Sequence, residues 1–136
     1  MVTRTARPLR LLIVDDNADA AVLLADLLAS IGHVTRVAHD GPTALRIAAE
    51  FRPEVALLDI GLPVMDGHEL GQRLTALLHE SPPKLIAVSG YGQDADRERS
   101  HAAGFHEHLV KPIDVDGLEP VLQRVVAEAV QPPLIY

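Results

Sequence analysis

Five short apolar runs recur along the chain: LRLLIV (9–14), VTRVA (34–38), EVALL (54–58), KLIAVS (84–89) and HLV (108–110). The first, third and fourth are almost unbroken in Leu, Ile, Val and Ala. That continuity marks strands covered on both faces, because a half-solvated strand would alternate apolar with polar positions. Between the runs, AVLLADLLASI, PTALRIAAEF and HELGQRLTALL repeat apolar residues at helical spacing. Helix punctuation agrees. Asp66 with Glu69 predicts a capping box before the third helix. Gly32 and Gly104 stand where helices end, and Pro42 fits a first helical turn. Asp114 or Asp116 caps the last helix, and Pro120 falls in its first turn. The predicted fold class is α/β: one doubly wound (βα)5 domain over residues 9–130, a five-stranded parallel sheet flanked by five helices with right-handed crossovers. Residues 1–8 read as a flexible leader and 131–136 as a C-terminal tail.

Composition narrows the function. The 136 residues suit one domain, and the absence of cysteine excludes disulfides, thiolate metal sites and cysteine nucleophiles. Net charge is −7, and from residue 11 onward 9 basic residues face 19 acidic ones. Such a body is a poor ligand for phosphate backbones, so no direct nucleic-acid contact is expected. No apolar stretch reaches membrane-spanning length, and MVTRTARPLR lacks a signal-peptide core. The expected location is therefore cytoplasmic, without membrane association.

Ligands of parallel sheets bind beyond the carboxyl ends of the strands. Asp15 and Asp16 follow LLIV, Asp59 follows EVALL, Ser89 follows LIAV and Lys111 follows HLV. On one rim these make three carboxylates, a hydroxyl and an ammonium. Two unit charges ~4 Å apart repel by about 4 kcal/mol at an effective dielectric near 20, and one lysine does not balance three acids. A divalent ion does, and an all-oxygen donor set with open water positions suits Mg2+. The expected ligands are Asp16 and Asp59 directly, with Asp15 through water. A metal beside a lysine and a hydroxyl is an anion site, and phosphoryl transfer there rests on positioning and charge neutralisation. Asp59 is suited as the nucleophile forming an aspartyl-phosphate, Lys111 as a holder of phosphoryl oxygens and Ser89 as a hydrogen-bond donor to one of them. The chain has ten Arg but only two Lys, which sets Lys111 apart as a chosen point charge.

In the order VDD (14–16), LLDIGLPVMDG (57–67), VSGYG (88–92) and VKP (110–112), the chain resembles the response-regulator receiver domain of two-component signalling, the CheY-like fold. The resemblance covers about residues 9–130. It implies strand order 2-1-3-4-5, Asp59 as phosphoacceptor, Asp15 and Asp16 as the acidic pair, and metal coordination by the Gly61 backbone carbonyl. Ser89 would be the switch hydroxyl and Lys111 the phosphate-contacting lysine. The implied donor is a phosphohistidine on a histidine kinase or histidine phosphotransfer protein. His108 stands where the family commonly has a switching Tyr or Phe, and Tyr91 and Gly61 where it tunes phosphoryl lifetime. The fourth helix, fifth strand and last helix (about residues 93–130) would form a face that changes on phosphorylation and a possible homodimer contact. GYGQ and HLVKP look like receivers of hybrid histidine kinases, so the chain is either a stand-alone regulator or a module of a larger protein.

Blander readings compete. Asp59 is also a plausible turn acid, Asp16-Asn17 a plain N-cap, Ser89 and Lys111 ordinary loop residues, and Asp66-Gly67 a helix start. The histidines read as solvated surface, against a transition-metal site from His106 and His108 with His101. A haloacid-dehalogenase-type phosphatase needs a second Asp two residues after the nucleophile, and Gly61 is there instead. The expectation is therefore a switch with self-catalysed phosphotransfer and autodephosphorylation, not a turnover enzyme. A degenerate, purely structural receiver and a phosphate sink are the remaining alternatives.

Overall fold

The computed structural model describes residues 7–90 and 94–128, the side chains of 94–96 excepted. The sequence expectations for most of the leader, for Tyr91 and for the C-terminal tail lie outside the described residues. Strands β1 (Arg10–Val14), β2 (Val34–Ala38), β3 (Val55–Asp59), β4 (Lys84–Ser89) and β5 (Glu107–Val110) alternate with helices α1 (Ala18–Ser30), α2 (Gly41–Phe51), α3 (Gly67–Leu77), α4 (Asp94–Ala102) and α5 (Val115–Ala127). All pairings are parallel, in the order β2-β1-β3-β4-β5.

The unbroken apolar runs divide by parity. Leu11, Ile13, Leu57, Ile86 and Val88 join Ala21, Ala25 and Leu28 of α1 and Leu118, Leu122 and Val125 of α5. Leu12, Val14, Leu58, Leu85 and Ala87 join Ala44 and Ala48 of α2, Leu70 and Leu74 of α3, and Phe105. Successive strand side chains point to opposite faces, so each central strand supplies both cores. Alanines facing the sheet from α1 and α2 let these helices approach closely. Each fully buried Leu or Ile contributes roughly 1.5–3 kcal/mol.

Asn17, Asp40, Asp66 and Asp114 cap their helices, each side-chain oxygen accepting from a backbone N–H two or three residues on. Gly32 and Gly104 take left-handed φ values of 112° and 89° after α1 and α4, as their placement predicts. Two expectations need correction. The capping box is one-sided, because the Glu69 carboxylate pairs with Arg73, 2.9 Å away. Because Asp114 is the cap, α5 begins at Val115 and Pro120 lies in its second turn, where its ring denies the helix one hydrogen bond.

Helix α4 is the outlier. Among its described side chains, 97–102, only Ser100 is buried, at 1% exposure. On the opposite side, His33 is a buried tie. Its Nδ1 accepts from the Leu9 N–H at 3.0 Å, and its Nε2 lies 2.6 Å from Glu119 of α5.

Candidate functional site

Parallel pairing sets the rim. Val14 stands beside Leu58, Asp59 beside Val88, and Ser89 beside Val110. Strands β1, β3, β4 and β5 therefore end at one level, and the polar residues after them meet. Ligand oxygens of Asp15, Asp16 and Asp59 all lie within 4.8 Å of one another. Lys111 Nζ is 2.9 Å from Asp15 Oδ2 and 3.2 Å from Asp59 Oδ2. Asp59 is clasped from its other side by the Gly61 N–H, which donates to Oδ1 at 2.9 Å. Asp15 accepts from the Asn17 N–H at 2.9 Å. Asp15 and Asp59 are nearly buried, at 8% and 9% exposure, while Asp16 is exposed.

The electrostatics follow. Burial pushes the Asp59 carboxyl above its ordinary value, and the neighbouring Asp15 charge adds to this, against the Gly61 N–H and Lys111. Burial also pushes Asp15 upward, but the Asn17 amide and Lys111 outweigh it and leave the carboxyl below its usual range. Burial would lower the Lys111 ammonium, but Asp15 and Asp59 outweigh it and raise it. Burial, with a smaller share from the Asp15 charge, therefore leaves Asp59 the harder of the two carboxyls to ionise. Three convergent carboxylates are hard oxygen donors in excess negative charge, which fits a small divalent cation. Among the described residues this is the one acidic or histidine cluster with metal-binding spacing.

A cavity of about 530 Å³ opens beside the acids. Asp15, Asp59 and Lys111 line one end, and Leu23, Leu27 and Ile113 line the apolar remainder. Leu23 and Leu27 are 62% and 44% exposed, so the acids sit at the foot of an apolar helix face open to solvent.

The comparisons with known proteins agree with this fold. The family model for the response regulator receiver domain matches residues 11–123. The chain belongs to the response-regulator receiver family. It is 32% identical over 117 residues to the regulatory protein AtoC of Escherichia coli, covering 86% of this chain and 25% of that protein. It is 33% identical over 121 residues to the sensor histidine kinase RcsC of Salmonella typhi, covering 89% and 12%. The chain thus spans a minor part of both relatives. Among solved structures, the receiver domain of the Pseudomonas aeruginosa sensor histidine kinase PA1611, described with a magnesium ion in its active-site cleft, superposes with a TM-score of 0.77 at 29% identity, covering 88% of this chain and 98% of that one.

In this receiver the five residues singled out at the strand ends stand on one rim, but Ser89 is turned to a partner the sequence did not announce. Its hydroxyl is 2.8 Å from His108 Nε2. His108 Nδ1 is 3.0 Å from Ser100 Oγ, and that hydroxyl is 3.0 Å from His68 Nε2. His108 is 5% exposed, so the solvated-surface reading of this histidine is corrected: period two in β5 carries it inward. The transition-metal reading loses its donors as well. Both His108 nitrogens are engaged, and His106 Nδ1 accepts from the Leu85 N–H at 3.1 Å. The available clue was Ser100, the one small polar residue in RERSHA, placed where a helix must touch the sheet.

The loop after Asp59 holds a second surprise. Val64 is fully exposed with φ of 69°, a conformation costly for a β-branched residue. It stands on the same loop as Gly61, at the rim. Asp66 caps α3, in keeping with its reading as a helix start. No helix among the described residues is long and apolar enough to cross a membrane.

Proposed function

We propose that this receiver is the phosphoacceptor switch of a two-component phosphorelay, with Asp59 taking a phosphoryl group from a phosphohistidine of a histidine kinase or phosphotransfer protein. The observation that carries the reading is Lys111 Nζ seated between Asp15 Oδ2 and Asp59 Oδ2 at 2.9 and 3.2 Å. The Gly61 N–H on Oδ1 and Lys111 on Oδ2 hold the Asp59 carboxylate from two sides before a donor arrives. Attack of a carboxylate oxygen on phosphorus forms the O–P bond and breaks the N–P bond of a donor ring protonated on its other nitrogen, and the bonding pair stays on the ring, which leaves as a neutral imidazole. Asp15, Asp16, Asp59 and the Gly61 carbonyl are the residues that would hold Mg2+. When bound, the ion supplies charge neutralisation for the phosphoryl oxygens. Lys111 supplies the remaining positive charge, and Ser89 donates to a phosphoryl oxygen once its proton is available. His108 and Tyr91 modulate the switch. The receiver would comprise residues 9–130 and act in the cytoplasm, without steady turnover.

The exposed Leu23 and Leu27 beside the acids suit a donor histidine presented on an apolar helix surface. A second reading, a receiver segment of a hybrid kinase or a phosphate sink, is favoured by the match to a small part of RcsC. Output through α4, β5 and α5, including homodimerisation, belongs to the first reading. The test is labelling with radioactive acetyl phosphate and Mg2+. The wild type is expected to carry one base-labile acyl-phosphate and Asp59→Asn none. Undiminished labelling of Asp59→Asn overturns the assignment.

A further inference from the structure

We propose that the cavity at the end of the sheet opposite the acids binds a small carboxylate with an apolar ring body, held by Lys84 and His106. This site is independent of the phosphoacceptor reading. The chain has ten Arg but only two Lys. Lys111 belongs to the rim, whereas Lys84 is the first residue of β4 and stands at the other end. A cavity of about 470 Å³ opens there, between α3, the residues that enter β4 and β5, and the ends of α4 and α5.

The cavity offers donors and one positive charge without a counter-ion. Lys84 Nζ donates to the Glu128 backbone carbonyl at 3.1 Å. An ammonium has three donors, so two are left over. The Glu128 carboxylate is turned to Arg124, with Oε1 3.7 Å from Nη1, and among the described residues no carboxylate pairs with Lys84. His106 lines the same cavity. Its Nδ1 accepts from the Leu85 N–H at 3.1 Å, so the neutral ring carries its proton on Nε2. Burial, and then the Lys84 charge, hold this imidazole below its ordinary value of 6.5. The ring is therefore a neutral donor beside a cation.

A carboxylate matches this pair. One oxygen takes the ammonium and the other the Nε2–H, and the charged bond is the stronger, so Lys84 anchors the ligand and His106 orients it. Pro82, Pro83, Leu85 and Ala103 give the cavity apolar walls. A ring laid against them keeps water from the ion pair, which strengthens it. The volume lies within the range of ligand cavities, roughly 300–1,000 Å³. The mouth is open beside Gly104, where a Cβ would meet no atom within 4 Å. A dianion such as a phosphate ester fits less well. It would face a single cation, and the Glu128 charge, close enough to act on His106, would oppose the surplus.

The test is an NMR titration of the full chain with 2-naphthoate, read at the His106 ring nitrogens and the Leu85 amide. Saturable shifts at both are expected by millimolar probe, with acetate and the neutral 2-naphthamide each binding about tenfold more weakly or worse. Lys84→Met keeps the apolar stem and removes the charge. His106→Asn keeps an acceptor for the Leu85 N–H and removes the Nε2–H. Each should weaken 2-naphthoate about tenfold, the factor that a hydrogen bond to a charged group is worth, while the remaining amide spectrum stays that of the wild type. If one variant misfolds, the other decides. No saturable shift in the wild type overturns the proposal, and so does equal affinity for 2-naphthamide or undiminished binding by the variants. Acetyl phosphate labelling reads the rim and this titration reads the opposite end, so either reading can fail alone.

Discussion

Replacing Asp59 by Asn should make the metal-free protein more stable. In the wild type the Asp59 carboxylate gains from Lys111 at 3.2 Å and loses against Asp15 and Asp16 within 4.8 Å. At an effective dielectric near 20 the attraction is about 5 kcal/mol and the two repulsions together about 7. Asp16 is exposed, so water weakens its share. Burial of Asp59, at 9% exposure, adds to the unfavourable side. The Asn variant keeps the shape and the Gly61 contact while removing the charge, so it should gain about 1–2 kcal/mol at pH 7 without Mg2+. With a urea slope of roughly 1–3 kcal/mol per molar, that is a midpoint higher by about 0.5–1 M. Magnesium should then raise the wild-type midpoint through preferential binding to the folded state and raise that of Asp59→Asn far less. Urea titrations of both proteins, with EDTA and with Mg2+, read all four midpoints. A metal-free Asn variant less stable than the wild type would refute the idea that excess negative charge is stored at this rim.

A Cβ on Gly67 would stand 2.7 Å from both the Asp59 carbonyl oxygen and the Ile60 Cα. Gly67→Ala must therefore move the backbone carrying the acceptor, costing about 1–3 kcal/mol and slowing acetyl phosphate labelling; unchanged stability and labelling would show that the loop yields freely. Burial pushes Glu54 upward, but the Arg10 amide and the Arg7 guanidinium outweigh it and hold the carboxyl below its ordinary value of 4.5. An acid lowered on folding stabilises above its unfolded value and loses that contribution as pH falls through its folded one. Glu54→Gln should therefore cost about 0.5–1 kcal/mol at pH 7, with the difference from wild type vanishing in acid. Urea midpoints between pH 7 and pH 3 check this, and a gap that persists at pH 3 argues against it.

Much of the architecture was legible because burial leaves a periodic trace. The runs at 9–14, 54–58 and 84–89 are apolar on both parities because both sheet faces are covered. The rim was legible for a related reason: a strand end is a fixed place, so Asp15, Asp59 and Lys111 could be located by what precedes them. Polar partners leave no such trace. Ser89 and His108 are 19 residues apart, and His68 and Ser100 are 32 apart. Their meeting depends on how β5 and α4 dock, which no local spacing records. The same holds for His33, tied to Glu119 across 86 residues. Pro120 was misplaced for a smaller reason. Asp114 and Asp116 are both good caps, and the choice between them moves the helix start by two residues.

One feature of α4 carries further. The outward residues from Arg97 to Ala102 support neither of the two apolar cores. Substitutions there should leave the scaffold intact. Replacement of the single inward serine would have the opposite result, because it reaches the buried contacts with His108 and His68. The two sides of this one helix thus vary under different constraints, the outward one under those of solvent and the inward one under those of the sheet it touches.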